Sequence, residues 1–360
     1  MHRRSFLRAA ALAAFMSPAS SGLLAAPGNK SKRVLVLGGT NFLGPAIVEQ
    51  ALAAGHEVTL LNRGITRPYL FPDIEKLRGD RRKGVKGLDA LGGSRTWDAV
   101  VDVWPADSSL VEASAKLLAD RVSYYYFVSS IAVYRSFARP WLTETAELRL
   151  NETGYGGEKA RSEKLVADLY ADRFGVARCP SIFGPRDPGS TLHYWLRNVH
   201  QNEEVLAPGS GDDPIQFVDV RDVGRWVIES IDKERTGVFN TTAEPLRFQD
   251  FLDNCRAATQ SNASLQWLDK DFLYSQGVEA FTQMPLWVPV EEDPGFFQIS
   301  SAKARQQGFA TRLARQTISA AWRWYQSSFF DGTAFPHNGW GISSERQAAL
   351  LANWRSSESQ

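Results

Sequence analysis

Several things are scarce in this 360-residue chain, and each scarcity narrows its function. Its two cysteines, Cys179 and Cys255, allow at most one disulfide and cannot build a structural zinc site alone. Five histidines (His2, His56, His193, His200 and His337) lie scattered without metal-ligand spacing, so no metal is expected. An excess of one charge is missing too. The 41 lysines and arginines against 40 acidic residues give a net charge of +1. That leaves no basic field to neutralise phosphates, so no nucleic-acid partner is expected. No internal repeat and no long linker is visible. What is there, 43% hydrophobic and 22% charged residues, is ordinary for a globular protein and excludes a disordered or collagen-like chain. The length calls for a large α/β unit carrying a second lobe.

The N-terminal apolar run is short as well. It extends from Ala9 to Met16 behind Met1-His2-Arg3-Arg4-Ser5-Phe6-Leu7-Arg8. Such a run cannot cross a bilayer core of about 30 Å, and no cysteine follows it to carry a lipid, so no stable membrane anchor is expected. A positive start, a short apolar stretch and small residues up to Ala26 form the layout of an export signal. Arg3-Arg4-x-Phe6-Leu7 resembles the twin-arginine signal, whose receptor reads the arginine pair. Residues 1–26 are therefore expected to be a twin-arginine signal peptide. The export machinery is then a partner, and the folded protein is periplasmic. Ala19, Ser21 and Ala26 are each small enough to precede the cut. Loss of Arg3, Arg4 and Arg8 with the signal leaves 38 basic residues against 40 acidic ones.

Arg33 to Gly38 is an apolar run with β-branched residues that reads as a buried parallel strand. Gly38-Gly39-Thr40-Asn41-Phe42-Leu43-Gly44 follows, and Pro45 opens a helical pattern through Ile47, Val48, Ala51 and Leu52. Gly55 ends that helix, and His56 to Leu61 reads as the next strand. Strand, glycine turn, helix and strand form the unit that offers a helix N-terminus to a pyrophosphate. A glycine-rich turn alone is a weak signal; its place between strand and helix makes it specific. The loop from Gly38 to Gly44 is thus expected to hold a nucleotide. An acidic residue at the end of the second strand would select NAD through the ribose 2′-hydroxyl. Asn62-Arg63-Gly64 stands there instead. No carboxylate repels a 2′-phosphate and Arg63 can pair with one, which favours NADP over NAD. Arg63 as a solvated loop arginine is the other reading.

Tyr124 to Val128 is an aromatic and β-branched strand that runs into Ser129-Ser130-Ile131-Ala132-Val133-Tyr134. From Tyr155 the pattern is helical until Phe174-Gly175. Tyr155 and Lys159 are four apart, so they share a helix face. A free phenol titrates near about 10 and is a poor base at neutral pH. A nearby ammonium is expected to lower that value, letting Tyr155 move a proton while a nicotinamide moves a hydride. A serine hydroxyl aimed at the same oxygen would stabilise developing charge.

The order of nucleotide loop, Ser-Ser-x-x-Val-Tyr and Tyr-x-x-x-Lys resembles the extended short-chain dehydrogenases/reductases, the NAD-dependent epimerase/dehydratase family. Asn41 stands where that family has its middle glycine, the mark of a divergent branch. Carried over by position, the resemblance implies Ser130, Tyr155 and Lys159 as catalytic residues, with Ser129 as the alternative serine. It implies that Lys159 also holds the nicotinamide ribose. Gly79-Asp80-Arg81 matches a step that places Asp80 near the adenine. Arg178-Cys179-Pro180 through Gly184-Pro185 is similar to a family strand end, with Cys179 at the usual proline. Gln216 to Asp222 resembles an element returning towards the active site, although Asp222 also reads as a helix start.

The resemblance runs from about Arg33 to Gln326. It implies a Rossmann-type doubly wound parallel sheet with a smaller mixed α/β C-terminal substrate lobe. The expected division is an NAD(P)-binding domain with the catalytic residues over 27–190, an interleaved substrate lobe over 191–330 and a helical tail over 331–360. It also implies an NAD(P)-dependent enzyme acting on a secondary alcohol, in a sugar or sugar derivative, with a homodimer common in the family. Outside the cytoplasm free cofactor is scarce, so a trapped cofactor and redox-neutral epimerisation or dehydration through a keto intermediate are expected. The alternatives are a plain NADP-dependent reductase or dehydrogenase, a non-catalytic nucleotide- or sugar-binding protein, and an RNA-binding protein, against which the balanced charge argues. Beyond residue 240, a helix is expected over Phe248 to Thr259, another through Trp322 and Trp324, and a short one over Glu345 to Trp354. The tryptophans around Trp267 and Trp287 are read as core rather than as a sugar platform. Cys179 and Cys255 are expected to stay unpaired, since a twin-arginine substrate folds in a reducing cytoplasm.

Overall fold

Runs rich in valine, leucine and tyrosine become parallel strands buried on both faces, as near-continuous apolar strands must be. The computed structural model describes residues 30–104, 107–188, 191–329 and 339–358. The expected signal peptide lies outside the described residues. In chain order come β1 (Arg33–Leu37), α1 (Leu43–Ala53), β2 (Glu57–Asn62), β3 (Glu75–Arg78), β4 (Trp97–Asp102), α2 (Ser108–Leu118), β5 (Val122–Ser130), α3 (Tyr155–Tyr170) and β6 (Phe174–Cys179). Short strands β7 (Ser181–Phe183), β8 (Glu204–Pro208), β9 (Pro214–Ile215) and β10 (Phe217–Asp219) follow, with α4 (Thr191–Gln201) after β7 and α5 (Val220–Asp232) after β10. Then β11 (Gly237–Asn240) returns to the sheet.

The seven-stranded sheet has the order β11-β6-β5-β4-β1-β2-β3, with every neighbouring pair parallel. This is the expected Rossmann-type sheet. Alternation assigns the two faces. Val34, Val36, Ala99, Val101, Tyr124 and Tyr126 pack towards α1 and α5, while Leu35, Leu37, Val100, Tyr125 and Phe127 pack towards α2 and α3. From β1 the chain winds one way through β2 and β3, then resumes on the other side with β4. That reversal opens a crevice at the carboxyl ends of β1 and β4, where doubly wound sheets bind ligands.

A separate core lies towards the C-terminus. There β8 pairs with β13 (Ser264–Leu268), β9 pairs with β12 (Leu246–Arg247), and β7 pairs with β10. Helix α6 spans Phe248–Thr259, and the helix Ala314–Phe329 passes through Trp322 and Trp324. Trp195, Trp287, Phe248 and Phe251 fill this core at 0% exposure, so Trp287 is core, whereas Trp267 and Trp354 are only partly covered. Cys255 lies in the same core and Cys179 in the core under the sheet, and both thiols are free. The start of α5 differs from one expectation: Asp219, not Asp222, caps it by accepting from Arg221 N at 2.8 Å. Asp222 lies inside the first turn and accepts from Arg312 N at 2.7 Å.

Candidate active site

The crevice is a cleft of about 480 Å³, and every residue expected to bind cofactor or take part in catalysis lines it. Its floor at the switch point is the glycine loop. Gly38 and Gly39 take φ of +132° and +97°, which side chains disfavour. A Cβ at Gly44 would lie 2.6 Å from the Gly39 backbone, so glycine there lets α1 start directly on the loop. Asn41 is outside the left-handed region, hence the change from glycine costs no backbone strain. Its carbonyl accepts from Arg67. Helix α1 has no side-chain cap and no acid in its first turn. Its first amides therefore remain available to an anion, and this uncapped cradle fits a dinucleotide pyrophosphate.

At the end of the cleft expected to take the adenosine, Asn62 works inside the protein. Its Nδ2 donates to the Gly38 carbonyl at 3.2 Å and its Oδ1 accepts from Gly64 N at 2.9 Å, stitching β2 to the glycine loop. Arg63 is exposed at the rim of the cleft. Asp80 pairs with Arg82 at 2.7 and 2.9 Å. Those hydrogen bonds hold its carboxyl down at about 2. The neighbouring Arg81, which sequence reasoning left without a role, turns inward and is buried against Asp102.

At the opposite end, α3 begins on the turn that follows β5. A Cβ at Gly156 would lie 2.1 Å from the Ala132 carbonyl, and that close approach brings Tyr155 to Ser130. Sequence reading assigned Gly156 no role, although a glycine directly after Tyr155 is the mark of this contact. Ser130 Oγ accepts from Ala132 N at 3.1 Å, whereas Ser129 is 4% exposed and its hydroxyl has no hydrogen-bond partner among the described residues. Tyr155 opens into the cleft with 48% of its surface exposed. Packing against the wall nevertheless raises its phenol above the ordinary 10.0, and the Ser130 hydroxyl offsets part of that rise. This corrects the expectation of a phenol lowered by lysine. Lys159 is 3% exposed and donates to the carbonyls of Trp104 and Val128, both at 2.6 Å. Burial brings its ammonium down to about 8, with Asp102 pulling the other way. Cys179 also lines the cleft, its thiol pushed up to about 11 by burial. At neutral pH, then, the site offers a protonated phenol, a serine hydroxyl and a cationic lysine around one space.

Fold and cleft together define a Rossmann-type protein whose crevice suits a dinucleotide. Residues 94–241, less than half of the chain, match the model of the NAD dependent epimerase/dehydratase family. The match excludes the glycine loop. Two curated relatives are similar in sequence. The bifunctional pinoresinol-lariciresinol reductase 2 of Linum usitatissimum is 28% identical over 59% of this chain and 66% of its own length. The chloroplast stem-loop binding protein of 41 kDa b of Arabidopsis thaliana is 23% identical over 62% of each chain. The matched stretch thus spans just under two thirds of these relatives. Among solved structures, UDP-glucuronic acid 4-epimerase from Bacillus cereus, in complex with NAD, superposes with a TM-score of 0.62 at 14% identity, covering 85% of this chain and all of that one. At that identity the likeness speaks for the fold.

Proposed function

We propose that the protein is an NAD(P)-dependent oxidoreductase of the epimerase/dehydratase type, acting on a secondary alcohol of a sugar or sugar derivative. The observation that carries this is the convergence of Ser130, Tyr155 and Lys159 on a cleft whose other end is an uncapped helix N-terminus. Residues Gly38 to Gly44 hold the pyrophosphate, Asn62, Arg63 and Asp80 surround the adenosine, and Lys159 holds the nicotinamide ribose. The nicotinamide, when bound, accepts and returns a hydride. Tyr155 exchanges the matching proton with the substrate oxygen, and the Ser130 hydroxyl hydrogen-bonds that oxygen as its charge changes. In an epimerisation the carbon–hydrogen and oxygen–hydrogen bonds broken on oxidation are both re-formed when the keto intermediate is reduced. In a dehydration the intermediate loses water, the hydride goes to the carbon that lost the hydroxyl and a proton to its neighbour, and the ketone remains. No net oxidant is consumed. A sugar substrate is supported by the name of the Bacillus cereus neighbour, and NADP by Asn62-Arg63-Gly64 at the end of β2, where a NAD-selecting acid would stand.

Twin-arginine export to the periplasm is part of the same reading and rests on Arg3-Arg4-x-Phe6-Leu7. A folded passenger carries its cofactor with it, and redox-neutral chemistry then suits a compartment poor in free cofactor. Mass spectrometry of the denatured supernatant of protein purified from the periplasm tests both parts. Stoichiometric NADP(H) is expected. NAD(H) would remove the Arg63 argument alone, and an empty protein that binds neither would favour a non-catalytic role.

A further inference from the structure

Behind the cleft lies a carboxylate that no step above uses. Asp102, the last residue of β4, is 0% exposed. Arg81 binds its two oxygens at 2.5 and 2.8 Å, the Tyr125 hydroxyl donates at 2.6 Å, and the Trp104 N–H donates at 2.9 Å. Arg81 is held in turn by Ser114 Oγ at 2.7 Å, and its guanidinium lies 5.1 Å from the centre of the Trp104 ring. The Trp104 carbonyl then accepts from Lys159. Stability alone is a weak reason for such a pair, because burying two charges offsets much of their attraction. Its position suggests a use.

We propose that Asp102, oriented by Arg81, is a positioning residue for Lys159: it anchors the Trp104 backbone that receives the lysine ammonium. The Asp102 bond to the Trp104 N–H fixes where that residue sits, and with it the place of the carbonyl that Lys159 reaches, while the negative charge beyond it favours the cationic lysine. Glu163 and Cys179 also favour the charged form, while Arg81 and burial oppose it. The ammonium is further confined by the Val128 carbonyl and by the Phe127 ring at 4.5 Å. This proposal takes the cofactor-holding role of Lys159 from the function proposed above.

The test reads Lys159 directly, in full-length protein carrying isotope-labelled lysine. The ε-carbon resonance of Lys159, assigned with Lys159→Arg, is followed as a function of pH. Asp102→Asn keeps the size of the side chain and removes its charge. The titration midpoint of Lys159 is expected to fall by about one pH unit, a tenfold loss of proton affinity, and NADP(H) affinity to fall by about tenfold. A folded Asp102→Asn protein with unchanged midpoint and affinity overturns the proposal. Because removing one charge of a buried pair can prevent folding, Arg81→Lys is the second variant. It keeps the positive charge but cannot bridge both oxygens, so a severalfold loss of affinity with a near-native midpoint is expected; unchanged affinity overturns the proposal. A wild-type protein that binds no nicotinamide cofactor, while Asp102→Asn still shifts Lys159, would instead overturn the function and leave the positioning role standing.

Discussion

The Lys159 ammonium donates to the Val128 carbonyl at 2.6 Å, tying the first turns of α3 to the end of β5. The residue four positions after Tyr155 therefore spends its protons on backbone oxygens rather than on the phenol. Burial sets the proton affinity of Tyr155, and the phenol stays protonated at neutral pH. In the function proposed here the two residues divide the work, one carrying a transferable proton and the other a fixed positive charge.

That division predicts different phenotypes for the two side chains. Tyr155→Phe removes the proton donor but leaves the cleft wall, so turnover is expected to fall by about 10²–10⁴-fold with NADP(H) affinity unchanged. Lys159→Met is expected to lose turnover and cofactor affinity together. Fluorescence titration with NADPH beside product formation separates the outcomes. Equal cofactor affinity in both variants would contradict the assignment.

The same lysine makes stability depend on pH with a definite sign. Its folded-state value of about 8 lies below the ordinary 10.5. Between these values the unfolded chain binds more protons, so stability rises with pH across that window. Below it, both states hold the proton and the burial cost is present in full. The whole effect is about 3 kcal/mol. Urea midpoints near pH 7 and pH 10 should therefore show Lys159→Met gaining on the wild type at the lower pH and losing that advantage at the higher. A constant difference between the proteins would refute it.

Much of this architecture was legible in the chain because parallel strands and glycine turns leave local marks. The apolar run before Gly38 and the spacing from Gly44 to Gly55 identify the first βαβ unit without reference to anything distant. Helix α6 runs over the residues the sequence led us to expect, Phe248–Thr259. The Arg81–Asp102 pair was not legible, because it joins residues 21 positions apart, one in the helical segment after β3 and the other at the end of β4, and no periodicity records such a contact. The direction of the Tyr155 shift was missed on similar grounds. Helical spacing shows that two side chains share a face, but not that carbonyls from β5 and the loop after β4 will claim the lysine. The cap of α5 was misplaced by three residues, since Asp219 and Asp222 are both good caps in isolation.

The glycine loop yields a contrast between two of its positions. At Gly44 any side chain would press on the Gly39 backbone at 2.6 Å, and backbone cannot step aside cheaply. Gly44→Ala is expected to cost about 1–3 kcal/mol of stability and to abolish measurable cofactor binding. Asn41 occupies ordinary backbone space, so Asn41→Gly should fold normally and bind cofactor at least as well as the wild type. Melting curves with and without NADP(H) decide both. An Asn41→Gly protein that loses binding would show that the asparagine side chain itself contacts the ligand.

The resemblance to a stem-loop binding protein calls for a separate check. With 41 basic and 40 acidic residues, the chain has little excess charge with which to release counterions from RNA. Binding to a stem-loop RNA is expected to be weak and to vanish near physiological salt. A gel-shift series across salt concentrations measures this, and a tight, salt-resistant complex would reverse the reading.

The proposed preference for NADP turns on Arg63 and its neighbours. Arg63 is exposed at the rim of the cleft, while Asp80, the nearest acid with a claim on the adenosine, is already engaged by Arg82. An engaged carboxylate repels a 2′-phosphate less than a free one, and Arg63 remains to pair with it. Arg63→Ala is expected to weaken NADP(H) binding about tenfold or more, the loss of one charge-assisted hydrogen bond, and to leave NAD(H) nearly unchanged. Arg82→Ala should do something different. It frees the Asp80 carboxylate, removing a cation and exposing an anion at once, so the preference should swing towards NAD(H) by more than the Arg63 change alone. Isothermal titration with both cofactors against both variants measures the two ratios. Equal losses for NAD(H) and NADP(H) would mean that these arginines shape the loop without reading the phosphate.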